Sequence, residues 1–111
     1  MNSLQTGFAL HAQSEVNFNA TVLSKPHFFW GNRTHAVHEA FDVRADDGHR
    51  LEVVDNVSLA PRVPVDPGDR VTIQGVLVPD AHRGPLVHWT HHDPAGRHPD
   101  GFIVLRGQVY A

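Results

Sequence analysis

Residues 85–101, PLVHWTHHDPAGRHPDG, gather His88, His91, His92, Asp93 and His98, with Trp89 and Thr90 between them. Imidazole is a common ligand for borderline transition metals, and its ordinary pKa lies near neutrality. A set this dense points to a site that moves protons, holds a metal ion, or does both. The chain contains no cysteine. Disulfides, thiolate metal sites and cysteine nucleophiles are therefore excluded, and His, Asp and Glu are the ligands available.

Read as a strand over 86–92, the stretch alternates. His88, Thr90 and His92 face one side. Val87, Trp89, His91 and Asp93 face the other, with Val87 and Trp89 directed to the core. Two ligand sets follow: His88 and His92 joined by His38 on the outer face, or His91, Asp93 and His98 at a rim. Either supplies three protein ligands and leaves a coordination position for water, the arrangement of a catalytic zinc site. The bland alternative makes Asp93 and Asp100 turn-capping residues and the histidines a solvated surface. His11, His27, His35 and His82 are scattered, and we read them as solvent-exposed.

The elements that must position this stretch are short strands. Val16, Phe18, Ala20 and Val22 alternate with polar neighbours. Phe41 and Val43, then Leu51 and Val53, flank the turn Asp46, Asp47 and Gly48. Gly at the left-handed position of such a loop suits a hairpin. Pairing residues whose numbers sum to 94 puts all four apolar residues on one face, and sets His38 opposite Asn56 on the other. Residues 58–68 carry Pro61, Pro64 and Pro67, which forbid a helix and predict a rigid crossover bearing Arg62. Gly75 interrupts the next strand where a barrel strand bends or bulges. Strands are expected at 16–24, 38–45, 49–56, 69–78, 86–92 and 102–110. Residues 25–34 are read as a loop whose Phe28, Phe29 and Trp30 plug one end of the core, in preference to forming a stacking platform. The pattern predicts an all-β fold: a small five- to six-stranded Greek-key barrel, OB-like, over residues 15–111, after an arm or short helix over 1–14. In that topology the hairpin's second strand lies beside and parallel to the His-rich strand. His38, Asn56, Arg62, His88, His91, His92 and Asp93 then converge.

At 111 residues there is room for one domain and one core. Net charge is −3, and eight of the nine basic residues are Arg. An acidic balance without a basic stripe disfavours nucleic acid as a partner. Protonating several of the ten histidines would reverse the sign, so mild acid should change the surface. No run approaches the roughly twenty apolar residues of a membrane span. Residues 1–13 lack the pattern of a secretory signal, so the chain as written is expected to be cytoplasmic, or exported if a signal has been removed.

HWTHHDPAGRHPDGF resembles a family of small bacterial proteins of unknown function marked by a HWTHHDP…H…DG(W/F) signature. The resemblance runs over roughly residues 36–110, through DNVSLAPRVP and GDRVTIQG. This chain departs from the pattern with Asp55 where His is usual, Glu39 for Gln, and Phe102 for Trp. The resemblance implies an OB-like fold and a shared site, and brings no activity with it.

Two functions remain. In one, a divalent ion, best zinc, held by His91, His92, Asp93 and His98, supports hydrolysis of a small or oligomeric anionic substrate of phosphodiester type. His38 and His88 would move protons there, while Asn56 and Arg62 hold the anion. In the other, the domain is a non-catalytic binder of a metal, an oligosaccharide or single-stranded nucleic acid.

Overall fold

The computed structural model describes residues 14–111. The arm or helix expected over 1–14 lies almost wholly outside them. Among the described residues there are eight strands and no helix: β1 Ser14–Val22, β2 His27–Gly31, β3 Ala36–Ala45, β4 Arg50–Asn56, β5 Arg70–Val78, β6 Leu86–His88, β7 Phe102–Leu105 and β8 Gln108–Tyr110.

Five of these close a barrel in the order β1, β3, β4, β6, β5 and back to β1. All contacts around it are antiparallel except β4 with β6, which is parallel. That order and orientation are those of an OB-type Greek key. The core holds the alternating residues of each strand: Val16, Phe18, Phe41, Val43, Leu51, Val53, Val71, Ile73, Leu77 and Val87, all buried. The hairpin register is the expected one, with Phe41 paired to Val53, Val43 to Leu51 and His38 to Asn56. Gly48 takes φ +94° in its turn, a conformation that glycine adopts without steric cost. The proline-rich crossover runs across one barrel end and seals it with Val63 and Val65, both buried.

Three strands stand outside the closed ring. β2 pairs with β3, so residues 27–31 form a strand rather than the expected loop. Its rings do not plug the core: Phe28, Phe29 and Trp30 are 41%, 39% and 57% exposed. β7 and β8 make a hairpin through Arg106 and Gly107, both at positive φ, the geometry of a two-residue turn whose twist suits the flanking strands. The single strand expected at 102–110 is thus two.

The most consequential difference concerns 86–92. The strand ends at His88, because Trp89 turns left-handed at φ +54°. Val76 of β5 pairs with His88, and two residues along, Gln74 pairs with Phe102. β6 and β7 are therefore two halves of one line along β5, and residues 89–101 are a loop ejected from it at Gly75. A Cβ on Gly75 would strike the His88 carbonyl and Thr90, and one on Gly101 the Trp89 and Gln74 carbonyls. Both glycines are required by this close approach of backbone.

Candidate functional site

Side chains, not a ladder, shape the ejected loop. Thr90 turns inward and is wholly buried; its hydroxyl donates to the Val54 carbonyl at 3.1 Å and lies 3.2 Å from Asp55 Oδ1. The Asp93 carboxylate accepts the backbone N–H groups of Ala95, Arg97 and His98. Asp100 accepts from the Asp93 N–H and from His92 Nδ1, each at 2.9 Å. Gly101 N–H closes the loop onto the His91 carbonyl at 2.9 Å. Trp89 is consequently not in the core. It is stacked between His88 and His98, with centroid distances of 4.4 and 4.3 Å. A tryptophan at positive φ costs backbone strain, which persists only where surroundings over-determine it and which clusters at functional sites.

On the outer face of β3, β4 and β6 this loop borders a cavity of about 520 Å³. Six of the residues singled out from sequence line it: His38, Asn56, His88, His91, Asp93 and His98. Two do not. His92 points outward to its Asp100 partner. Arg62 lies with its guanidinium 4.7 Å from the Phe28 ring centroid, against β2. Cavity residues that the sequence reading missed are Arg33, Thr34, Arg97 and Trp89. Arg97 stands inside the motif, but its place at the cavity follows from the loop that Asp93 folds. Arg33 carried no signal, since its place depends on β2 being a strand.

Burial favours the neutral imidazole at His88 and His38. Burial pushes His88 down to about 4, and the neighbouring His98 and His91 push the same way. Burial also lowers His38, with His91 adding to the fall against a backbone contact at Ala36. Burial would raise Asp93, but the three N–H donors and His98 outweigh it and hold the carboxyl below the usual carboxylate range. His91 Nδ1 lies 2.7 Å from the His92 carbonyl and His98 Nδ1 2.8 Å from the Pro99 carbonyl. A carbonyl only accepts, so each Nδ1 carries the proton and, in the neutral ring, each Nε2 keeps its lone pair.

Beneath the cavity lies a second polar feature. Glu39 and Asp55 are cross-strand partners facing the barrel interior, both wholly buried. Glu39 Oε1 accepts the Val63 N–H at 2.9 Å. Burial raises the Glu39 carboxyl. For Asp55, burial and then the Glu39 charge push it up to about 7, against the Thr90 hydroxyl and the Asn56 N–H. Glu39 Oε2, Asp55 Oδ2, His38 Nδ1 and His88 Nε2 are buried atoms without a hydrogen-bond partner among the described residues. Also among those residues, no three His, Asp or Glu side chains are already arranged to hold a metal ion.

Fold and cavity together define a small OB-type barrel that carries a histidine-walled pocket on its outer face. The chain matches over residues 4–111 a family described as a protein of unknown function, DUF3465, and it belongs to that family. Comparison with curated proteins and with solved structures found no match. No helix among the described residues is long and apolar enough to cross a membrane.

Proposed function

We propose that the cavity rim binds a divalent transition-metal ion, of zinc type, through His91, His98 and Asp93, and presents it to a small anionic substrate of phosphodiester type. One observation carries this reading: His91 and His98 each commit Nδ1–H to a backbone carbonyl, leaving an oriented Nε2 lone pair. Ligating histidines are oriented in the same way, by a second partner on the other nitrogen. The spacings are compatible. Two imidazoles on one tetrahedral ion have ring centroids about 5 Å apart, and a ring nitrogen and a carboxylate oxygen on it lie about 3.4 Å apart. His91 and His98 are 5.3 Å apart by centroid; Asp93 Oδ2 lies 3.7 Å from His98 Nε2, and its neighbour Oδ1, which accepts the Ala95 N–H alone, keeps a lone pair for the ion. Among the described residues these three side chains do not yet converge on one point, and a bound ion would complete that convergence.

A bound ion would furnish Lewis acidity and an acidified water. His88, held neutral by burial, walls the same cavity without adding a charge to it. Arg33, Arg97 and Asn56 take the charge of the anion. His92 and Arg62 have no part.

The reading is tested by elemental analysis of untagged protein together with calorimetric titration of zinc, nickel, copper and manganese. Zinc should bind tighter than about 10 µM near pH 7.5 and more weakly as the solution is acidified, because ligands must be free of protons to bind. His91→Ala or His98→Ala should abolish this, and His92→Ala should leave it unchanged. Failure of all four metals sinks the metal reading. The alternative of a non-catalytic binder draws on a separate observation, the aromatic stacks that wall the same cavity.

A further inference from the structure

Rings stand on both sides of the cavity. On one side His38 lines it, backed by Phe29 lying parallel to it at 5.4 Å and 18°, with His27 tilted against Phe29 at 5.8 Å. On the other stand His88, Trp89 and His98, stacked within 10° of parallel. Register explains the placement. Phe29 pairs with His38, so both share the outer side of the β2–β3 ribbon. His38 is level with Asn56 of β4, and His88 of β6 follows a parallel register in which Val53 faces Val87. β4 thus forms the floor, with Val54 and Asn56 lining the cavity between the two walls. Two strand spacings, about 10 Å, separate the backbones that bear those walls. That is room for one flat ring with contact layers of about 3.5 Å on either side.

The charged groups at this cavity complete the description. Arg33 and Arg97 line it, and both side chains are without an ion-pair partner among the described residues, whereas Arg70 and Arg106 are paired with Asp46 and Asp69. The carboxylate in the lining, Asp93, has both oxygens occupied by backbone N–H groups. Guanidinium forks match phosphate oxygens in pairs. A cavity walled by rings, with Val54 in its floor and two unpaired guanidinium groups at its side, is complementary to a ligand that is aromatic at one end and phosphorylated at the other.

We propose that the cavity takes a nucleotide-type ligand, its heterocycle over Val54 between the His38 ring and the His88–Trp89–His98 stack and its phosphate between Arg33 and Arg97. This rests on the reading of the cavity as the functional site and gives the anionic substrate a chemical class. The acidic net charge of the chain is no obstacle, since the binding is to a single phosphate and not to a polyanion track.

The test is calorimetric titration of the full chain with AMP, GMP, CMP and UMP, each against its nucleoside and against ribose 5-phosphate, in EDTA and again with zinc. Quenching of Trp89 fluorescence in a Trp30→Phe background reports where the ligand sits. At least one nucleotide should bind with a dissociation constant below about 1 mM and about tenfold more tightly than its nucleoside or ribose 5-phosphate, with Trp89 quenched. Arg33→Ala and Arg97→Ala, checked for folding by circular dichroism, should each weaken the nucleotide about tenfold and leave the nucleoside unchanged. Arg62→Ala should change neither. Ribose 5-phosphate binding as tightly as the nucleotides, or no nucleotide binding, overturns the proposal. Zinc binding without nucleotide preference overturns it alone and leaves the metal reading standing. Nucleotide binding in EDTA with no affinity for zinc does the reverse.

Discussion

The β3–β4 hairpin and the 89–101 loop meet at the cavity, and they are held in different ways. In the hairpin, seven cross-strand pairs and an interior face of Phe41, Val43, Leu51 and Val53 fix every side chain's direction. In the loop, Asp93, Asp100 and Thr90 do that work by hydrogen bonds to backbone, and two glycines allow the chain to leave β5 and return. One region is specified by apolar periodicity and the other by polar side chains at single positions. The cavity needs both, since His38 and Asn56 come from the first and His91, Asp93 and His98 from the second.

The largest effects should come from the joint between them. Gly101→Ala places a Cβ against three backbone atoms, which cannot yield without moving a strand. A loss of at least about 3 kcal/mol is expected, comparable with Phe41→Ala at about 3–5 kcal/mol. Gly96→Ala, at φ +66° with open space around it, should cost about 1 kcal/mol. Urea midpoints at constant m-value measure all three. If Gly101→Ala is no worse than Gly96→Ala, the joint is not where the loop is anchored.

Next in size is the pH dependence, which should have opposite signs in the two regions. Asp55, at the hairpin's interior end, has a folded pKa of about 7 against an ordinary 3.8. Between those values the native state holds a proton the unfolded chain has lost. The stability tied to Asp55 is therefore full below about pH 4 and falls, by up to a few kcal/mol, as pH rises through 7. Asp55→Asn should flatten that fall. His88, where the loop begins, is lowered to about 4 from 6.5. Its contribution is full above pH 6.5 and is lost as pH drops toward 4, where the unfolded chain binds the proton first. His88→Gln should flatten that acid limb. Identical pH–stability curves for wild type and Asp55→Asn would remove the buried-carboxyl account.

A smaller, local effect is expected at Asp93. Asp93→Ala strips three caps from the loop and should cost about 1–2 kcal/mol. Amide exchange at Ala95, Arg97 and His98 should rise, with that at Phe41 and Val53 unchanged. Faster exchange throughout the barrel would mean the two regions do not open separately.

The same contrast decides how much of the molecule was legible in its sequence. Alternation in the hairpin yielded its register, the His38–Asn56 pair and, through the OB-type topology, the parallel neighbour β6. Those steps brought residues far apart in sequence to one cavity. The same reasoning failed beyond His88, because period-two alternation holds only while a ladder continues, and the ladder stops at Trp89. Asp93 caps the loop through three backbone N–H groups, a role that its identity alone does not separate from that of a ligand. β2 was missed because His27, Phe28, Phe29 and Trp30 present apolar or aromatic faces on both sides, so nothing alternated. Gly75 was read as a bend, and its reason, the approach of the His88 carbonyl, is visible only in three dimensions.

The smallest expected effect is at Arg62, and it separates the sequence reading from the structure. From sequence, a cation fixed between prolines beside the hairpin's end belonged with the anion-holding residues. In the structure Arg62 covers Phe28. Phe28 pairs with Glu39, on the interior-facing side of the β2–β3 ribbon, whereas the cavity lies on the side of Phe29 and His38. An exposed cation–π contact contributes about 0.5–1 kcal/mol, and the Arg62 charge also lowers the Glu39 carboxyl, whose burial acts the other way. Arg62→Ala should therefore cost under about 1 kcal/mol in urea denaturation. It should leave zinc affinity unchanged, where His91→Ala abolishes it. Arg62→Lys should cost about as much as the alanine change if the flat guanidinium is what covers the ring, because a lysine ammonium does not stack. A loss of zinc affinity in Arg62→Ala with the fold intact would return Arg62 to the site and show that the ribbon's two sides are coupled.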